Sequence, residues 1–141
     1  MSVEDNIEVV RRFSKALTDR DWAAFDELVA EDCEWTDVPS GGTIHGRDEL
    51  VSLCKTFTAA FPDFVVESVT LIGQGDLVAN EWSGRGTHEA PLPRPDGGVH
   101  EPTGRSFART GVGMVELRDG QIVRYRDYFD RLTMTEQLGF E

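Results

Sequence analysis

The stretch Gln121-Ile122-Val123-Arg124-Tyr125-Arg126-Asp127-Tyr128-Phe129-Asp130 decides how the chain reads. It follows Asp119-Gly120, a dipeptide that supports the positive φ values of a tight hairpin turn. It is rich in β-branched and aromatic residues, as strands are. Side chains alternate faces along a strand, so Val123, Tyr125, Asp127 and Phe129 share one face. Ile122, Arg124, Arg126, Tyr128 and Asp130 share the other. The first row is apolar or aromatic apart from Asp127. A carboxylate on a core-facing row is neutral, paired or at work, because an isolated buried charge is too costly. Two readings of Asp127 therefore stay open: an ion pair across the sheet, or acid–base chemistry.

Outward from this strand, the second half of the chain reads as strands. Residues 64–72 alternate apolar and polar, and Gly73-Gln74-Gly75-Asp76 is a turn. Residues 77–88 form the next strand, where Gly84 and Gly86 predict a bulge or bend. Residues 91–98 hold three prolines and two glycines and read as a loop, mobile or closing as a lid. A long strand over residues 103–117 precedes the Asp119-Gly120 turn, and residues 132–141 read as a short tail.

The first half reads as helices. Ile7, Val10, Phe13 and Leu17 recur at helical spacing and predict a helix over residues 4–18. Asp21 is a helix-capping residue for a second helix over 22–30, carrying Trp22, Phe25, Leu28 and Val29. A short strand over residues 33–38 puts Cys33, Trp35 and Asp37 on one face, and residues 39–42 form a loop. Gly46-Arg47-Asp48-Glu49 opens a third helix with acids in its first turn, where the helix dipole favours them. Leu50, Leu53, Cys54, Phe57 and Phe61 mark its buried face, and Pro62 ends it. Segregated helices and mostly antiparallel strands define an α+β fold. A curved sheet capped by three helices from the first half encloses a pocket, the default ligand site.

Composition narrows the function classes. A length of 141 residues points to one domain spanning residues 1–141. Acids outnumber bases 26 to 14, a net charge of −12 that would repel nucleic acid. No apolar run reaches the roughly 20 residues of a membrane span. Met1-Ser2-Val3-Glu4-Asp5 lacks a signal-peptide pattern, so a cytoplasmic location is expected. Cys33 and Cys54 are too few and too widely spaced for a disulfide framework or a zinc site. They read as buried thiols, with a single disulfide left open, and no metal is expected.

Several segments carry a family resemblance. Val9-Val10-Arg11-Arg12-Phe13, Asp21-Trp22 and Leu28-Val29-Ala30-Glu31-Asp32 resemble the opening of the nuclear transport factor 2-like superfamily. His45-Gly46-Arg47-Asp48-Glu49-Leu50 is similar to its third-helix entry. Phe61-Pro62-Asp63, Gly86-Thr87-His88, Pro102-Thr103-Gly104-Arg105, Asp119-Gly120-Gln121-Ile122 and Gln137-Leu138-Gly139 resemble the SnoaL-like polyketide cyclases, or ester cyclases. The resemblance implies a cone-shaped α+β barrel, commonly a homodimer, whose pocket takes a small hydrophobic molecule without a cofactor. It implies an intramolecular aldol closure of an aromatic polyketide ester, with Asp127 as acid and base. His88 would hydrogen-bond the enolate or position the substrate, or else hold a loop carbonyl at a strand end.

Two further resemblances bear on the reaction. Arg126-Asp127-Tyr128-Phe129-Asp130 is similar to the end of limonene epoxide hydrolase, which implies an Asp-Arg-Asp set around Asp127. Where that family carries Arg-x-Asp, this chain has Trp82-Ser83-Gly84, so a hydrolase here needs an altered set drawing on Asp37 or His88. Thr36-Asp37-Val38-Pro39 resembles the general-base region of ketosteroid isomerase, but Phe13 and Val112 stand where that enzyme has its oxyanion donors. Asp37 reads either as a cavity carboxylate beside Asp127 or as a turn cap before Pro39-Ser40.

Trp22, Phe25, Phe57 and Phe61 read as core. Trp35, Trp82, Tyr125 and Phe129 lie on strands and can line a cavity for a flat ring system. The leading expectation is a cofactor-independent acid–base enzyme with Asp127, His88 and Asp37 as catalytic candidates. The alternative from another class is a non-catalytic binding module.

Overall fold

The structure, a computed structural model, describes residues 1–140. Its elements are α1 (Val3–Asp19), α2 (Trp22–Leu28), β1 (Val29–Asp37), β2 (Gly42–His45), α3 (Arg47–Ala60), β3 (Val65–Gln74), β4 (Leu77–Thr87), β5 (Leu92–Pro93), β6 (Val99–His100), β7 (Ser106–Arg118), β8 (Gln121–Phe129) and α4 (Arg131–Leu138). Six strands form one sheet in the order β2-β1-β8-β7-β4-β3, and β5 pairs with β6 separately. Every neighbour in the large sheet is antiparallel except β1 and β8. This is an α+β, nuclear transport factor 2-like architecture whose curved sheet stays open at its edges.

The helix ends follow local chemistry. Ser2 Oγ accepts from the Asp5 backbone N–H at 3.0 Å, and the Asp5 carboxylate accepts from Ser2 N, forming a reciprocal capping box. Arg20 ends α1 in the left-handed region at φ 55°. Its guanidinium donates to the carbonyls of Thr18, Phe61, Pro62 and Phe64, tying α1 to the end of α3 and the start of β3. Asp119 and Gly120 adopt the positive φ values expected of the β7–β8 turn, 53° and 79°.

Several sequence expectations are corrected. α2 stops at Leu28, and Val29 already begins β1, earlier than the expected residue 33. Residues 42–45, starting at the last residue of the expected loop, pair with β1 as β2. Gly84 and Gly86 cause no break, since β4 pairs with β7 without interruption from Leu77 to Thr87. The irregularity lies in β3 between Ser68 and Thr70, at exposed Val69. Gly86 instead makes room for packing: a Cβ there would lie 3.2 Å from Phe61 and 3.3 Å from Phe107. Residues 103–105, expected at the start of the long strand, wrap around His88, and β7 begins at Ser106.

The expected tail contains a helix. Asp130 caps α4 by accepting from the Thr133 backbone and hydroxyl, and Gly139 closes it at φ 76°. The helix lacks an apolar stripe, which hid it from a periodicity reading. Glu141 lies outside the described residues.

Two apolar clusters form the interior. The larger joins Val10 and Phe13 of α1, Phe25 and Leu28 of α2, Cys33 of β1, and Val115, Ile122 and Tyr125 of the sheet. The smaller joins Ala60, Phe61, Phe64, Phe107 and Leu138. Ile122 and Tyr125 are both buried, although simple alternation assigns them to opposite faces. The register slips between Glu116 and Leu117, so Val123 is an extra residue on β8 and the alternation restarts after it.

Candidate functional site

Between the clusters lies a cavity of about 790 Å³, within the size range of small-molecule sites. The inward face of α3 (Leu50, Leu53, Cys54 and Phe57) forms one wall. Leu53, expected to be buried, is 48 % exposed because that face looks into the cavity. Phe57, expected as pure core, packs on the smaller cluster and also lines the cavity. Trp35, Trp82, Tyr125 and Phe129 line it from the sheet. The β5–β6 hairpin covers one side through Leu92, Pro93, Arg94, Pro95 and His100. His100 is held there by flat stacking on Phe140, with centroids 3.8 Å apart and planes 5° apart.

Asp127 lies on the sheet wall. Its Oδ1 accepts from Trp82 Nε1 at 2.8 Å. Burial disfavours its ionised form and outweighs both the Trp82 bond and the Arg109 charge, so its pKa is pushed up to about 6. The negative charge of Asp37 pushes in the same direction. Parallel pairing of β1 and β8 sets Asp37 directly beside Asp127 in register. Both carboxylates border the cavity. Asp37 also serves its turn: Oδ1 accepts from Ser40 N at 3.4 Å, and its carbonyl accepts from Gly41 N at 2.8 Å.

Tyr125, two residues before Asp127, is settled differently. Its hydroxyl accepts from Asn80 Nδ2 at 3.1 Å, and its ring stacks on Trp35 with centroids 3.9 Å apart. Burial pushes its ionisation far upward, so the phenol stays neutral. Two glycines of β7 create the space these rings use. A Cβ on Gly113 would lie 2.2 Å from Tyr125 Oη, and one on Gly111 would lie 2.4 Å from Trp82 Cζ2.

His88 is not brought to this cavity. It is fully buried, packed against Phe61 and Phe140. Its Nδ1 accepts from the Thr103 backbone N–H at 3.2 Å, and its backbone N–H donates to the Arg105 carbonyl at 2.9 Å. It therefore pins residues 103–105. Asp63 acts similarly at the same joint, accepting from the Thr87 backbone and hydroxyl at 2.7 and 2.8 Å. Cys33 and Cys54 are free. Cys54 is only partly enclosed and borders the cavity, while burial pushes its thiol up to about 12 and keeps it protonated.

Sequence reading missed Arg109 and Asn80. On β7 the inward row runs Phe107, Arg109, Gly111, Gly113, Val115 and Leu117, with one cation among apolar residues and glycines. The test that singled out Asp127 on β8 would have found it. Arg109 lies 4.3 Å above the Phe129 ring centroid, and 5.3 and 5.5 Å from those of Phe107 and Trp82. Burial pushes its pKa down to about 10 against the opposing fields of Asp127 and Asp37, so it stays charged at neutral pH.

Comparison with known proteins settles the family. Residues 10–125 match the SnoaL-like domain. The chain belongs to this family. Among relatives of this SnoaL-like protein, YesE of Bacillus subtilis (strain 168) is 27 % identical, over 96 % of this chain and 88 % of its own. IdmH of Streptomyces antibioticus, a candidate polyketide cyclase, superposes with a TM-score of 0.78 at 28 % identity, over 95 % of this chain and 98 % of its own. An epoxide hydrolase of M. tuberculosis, of the limonene epoxide hydrolase-like kind, superposes with a TM-score of 0.74 at 21 % identity, over 96 % and 90 %. The last of these likenesses concerns the fold alone. No helix among the described residues of this SnoaL-like chain is long and apolar enough to cross a membrane.

Proposed function

We propose that this SnoaL-like protein is a cofactor-independent acid–base enzyme that closes or isomerises a flat, hydrophobic, polyketide-like substrate. The observation that carries this is Asp127: a carboxyl group with a pKa of about 6 on the wall of a largely apolar cavity. A base in this range takes a proton at neutral pH and still returns it.

In the proposed reaction the Asp127 carboxylate removes a proton from a carbon between two carbonyls. The enolate carbon attacks a further carbonyl elsewhere in the same molecule, forming a carbon–carbon bond and an alkoxide. The protonated Asp127 gives its proton to that alkoxide, so acid and substrate atoms balance without an added reagent. Trp82 orients the carboxyl through its indole N–H, and Asp37 supplies the like charge that keeps Asp127 basic. Trp35, Trp82, Tyr125 and Phe129 offer faces for a flat ring system. His88 lies outside the cavity and serves the fold by pinning residues 103–105, so it takes no part in the proposed step. The protein partner we propose is a second copy of the chain, in a homodimer in the cytoplasm. IdmH, also a candidate cyclase, supports this choice of chemistry.

The test uses tricyclic and tetracyclic aromatic β-keto esters, with products followed by chromatography and mass spectrometry. Asp127→Asn is expected to lower turnover by about 10²–10⁴-fold with binding retained. An unchanged rate would remove Asp127 from the mechanism, and binding without turnover in the parent protein would favour a ligand-binding module.

A second reading has one observation in its favour. Asp127, Arg109 and Asp37 border one cavity, an acid–arginine–acid group reached from three different strands. That is the altered set an epoxide hydrolase would need, with one carboxylate activating water and the other protonating the epoxide oxygen. Hydrolysis of small cyclic epoxides to diols, with no reaction of the polycyclic esters, would replace the first reading with this one.

A further inference from the structure

We propose that Arg109 is an oxyanion receptor, so that the cavity takes a planar molecule presenting an anionic oxygen group (a carboxylate, enolate or phenolate) rather than a neutral hydrocarbon-like one. This rests on reading the cavity as an acid–base site and names the substrate class for it.

Arg109 is held in an environment that leaves its donors without oxygen partners. The faces of Phe129, Phe107 and Trp82 surround it, and a fourth ring, Phe57, lies 6.0 Å away. These faces attract the cation but accept none of its N–H groups along the lone-pair directions an oxygen offers. Nη1 donates to the Met134 thioether, a weak acceptor. Nε is buried without any partner. Among the described residues no carboxylate lies within 4.0 Å of its nitrogens, although other arginines of the chain have such partners. A buried, unsatisfied charged donor is expensive, and its cost falls when a ligand oxygen meets it. The guanidinium borders the cavity, so such an oxygen can reach it from the ligand side.

The geometry suits the chemistry. Asp127 and Arg109 border the same space, with the Asp127 carboxyl turned to Trp82 by the indole bond. When a proton passes from a ligand carbon to Asp127, negative charge leaves the carboxylate and appears on the ligand oxygen. A fixed cation in a water-poor site stabilises that charge most where it develops. Arginine suits this better than lysine, because its planar fork matches a two-oxygen anion and is weakly hydrated. Gly84, the residue paired with Arg109 across β4 and β7, contributes no side chain that would compete for the same space.

The experiment is calorimetric titration of the full chain near neutral pH with two probes of the same shape, 2-naphthoate and 2-naphthamide. The parent protein is expected to bind the anion at least about tenfold more tightly than the amide. Arg109→Met is expected to erase that preference, Arg109→Lys to keep part of it, and Asp127→Asn to enlarge it by removing a like charge. The proposal is overturned if the parent binds the two probes equally or binds neither. An anion preference that survives in Arg109→Met also overturns it. If Arg109→Met does not fold, the Arg109→Lys ratio decides: a ratio identical to the parent's counts against the proposal. Failure here is separate from failure of the acid–base reading, which is judged by turnover of Asp127→Asn and not by the binding ratio.

Discussion

Around Ile122 and Tyr125, β8 belongs to the larger apolar cluster, with Tyr125 also reaching the cavity; around Asp127 and Phe129, the same strand has left that cluster and borders the cavity. Tyr125 has its hydroxyl bonded to Asn80, its ring stacked on Trp35, and a glycine on the neighbouring strand, Gly113, that clears its path. Two residues on, Asp127 has one donor, a charge-disfavouring environment and a neighbouring acid. The packed region minimises its own free energy. The open region keeps polar groups in a state that a ligand improves, which is how a stable scaffold carries a reactive site.

The largest expected effect probes the packed side of this contrast. Phe25 is fully buried, and Phe25→Ala should cost about 3–5 kcal/mol in denaturant unfolding. Phe57→Ala, on the cavity wall, should cost less, about 1–2 kcal/mol, because part of its surface already faces open space. Equal losses would break the comparison.

Gly113→Ala comes next. Its Cβ would fall 2.2 Å from Tyr125 Oη, so Tyr125 must move, at a cost of about 1–3 kcal/mol. A thermal unfolding midpoint unchanged from the parent would show that the filled region has slack after all.

Asp127→Asn should stabilise the fold, with an effect that depends on pH. Folded Asp127 holds its proton up to about pH 6, whereas the ordinary value for the unfolded chain is 3.8. Between those values the folded state binds more protons, so the parent loses stability as pH rises through this window. The variant does not titrate there. Its advantage should therefore be about 1–3 kcal/mol near pH 8 and vanish below about pH 4. An advantage independent of pH would mean that Asp127 ionises as readily as an exposed carboxyl.

Trp82→Phe has the smallest expected effect. It removes the indole N–H that favours ionised Asp127, so the carboxyl titration seen by NMR should move upward by about one pH unit. A downward shift would reverse the role assigned to Trp82.

The sequence made the helical half and the final strand legible because their apolar spacing is regular, as with Val10 and Phe13 or Tyr125 and Phe129. It also placed Asp127 and Asp37 on inward rows, but their meeting depends on the parallel pairing of β1 with β8, which no local pattern encodes. Ile122 defeated alternation because one extra residue, Val123, resets the face. Arg109 was overlooked because glycines dilute its row. The segments that carried the family resemblance turn out to be joints. Asp63 meets Thr87, His88 meets Thr103, and Gln137 Oε1 accepts from Ala108 N. They mark the fold more directly than the reaction.

The pairing of β1 with β8 also has a kinetic consequence. Asp37 and Asp127 are about 90 residues apart along the chain, and bringing such distant segments together costs roughly 4 kcal/mol of loop entropy if nothing intervenes. The β3–β4 and β7–β8 hairpins are far more local and can form first. The two carboxylates would then meet late in folding. A refolding chain should regain strand signal before it regains the ability to bind a ligand.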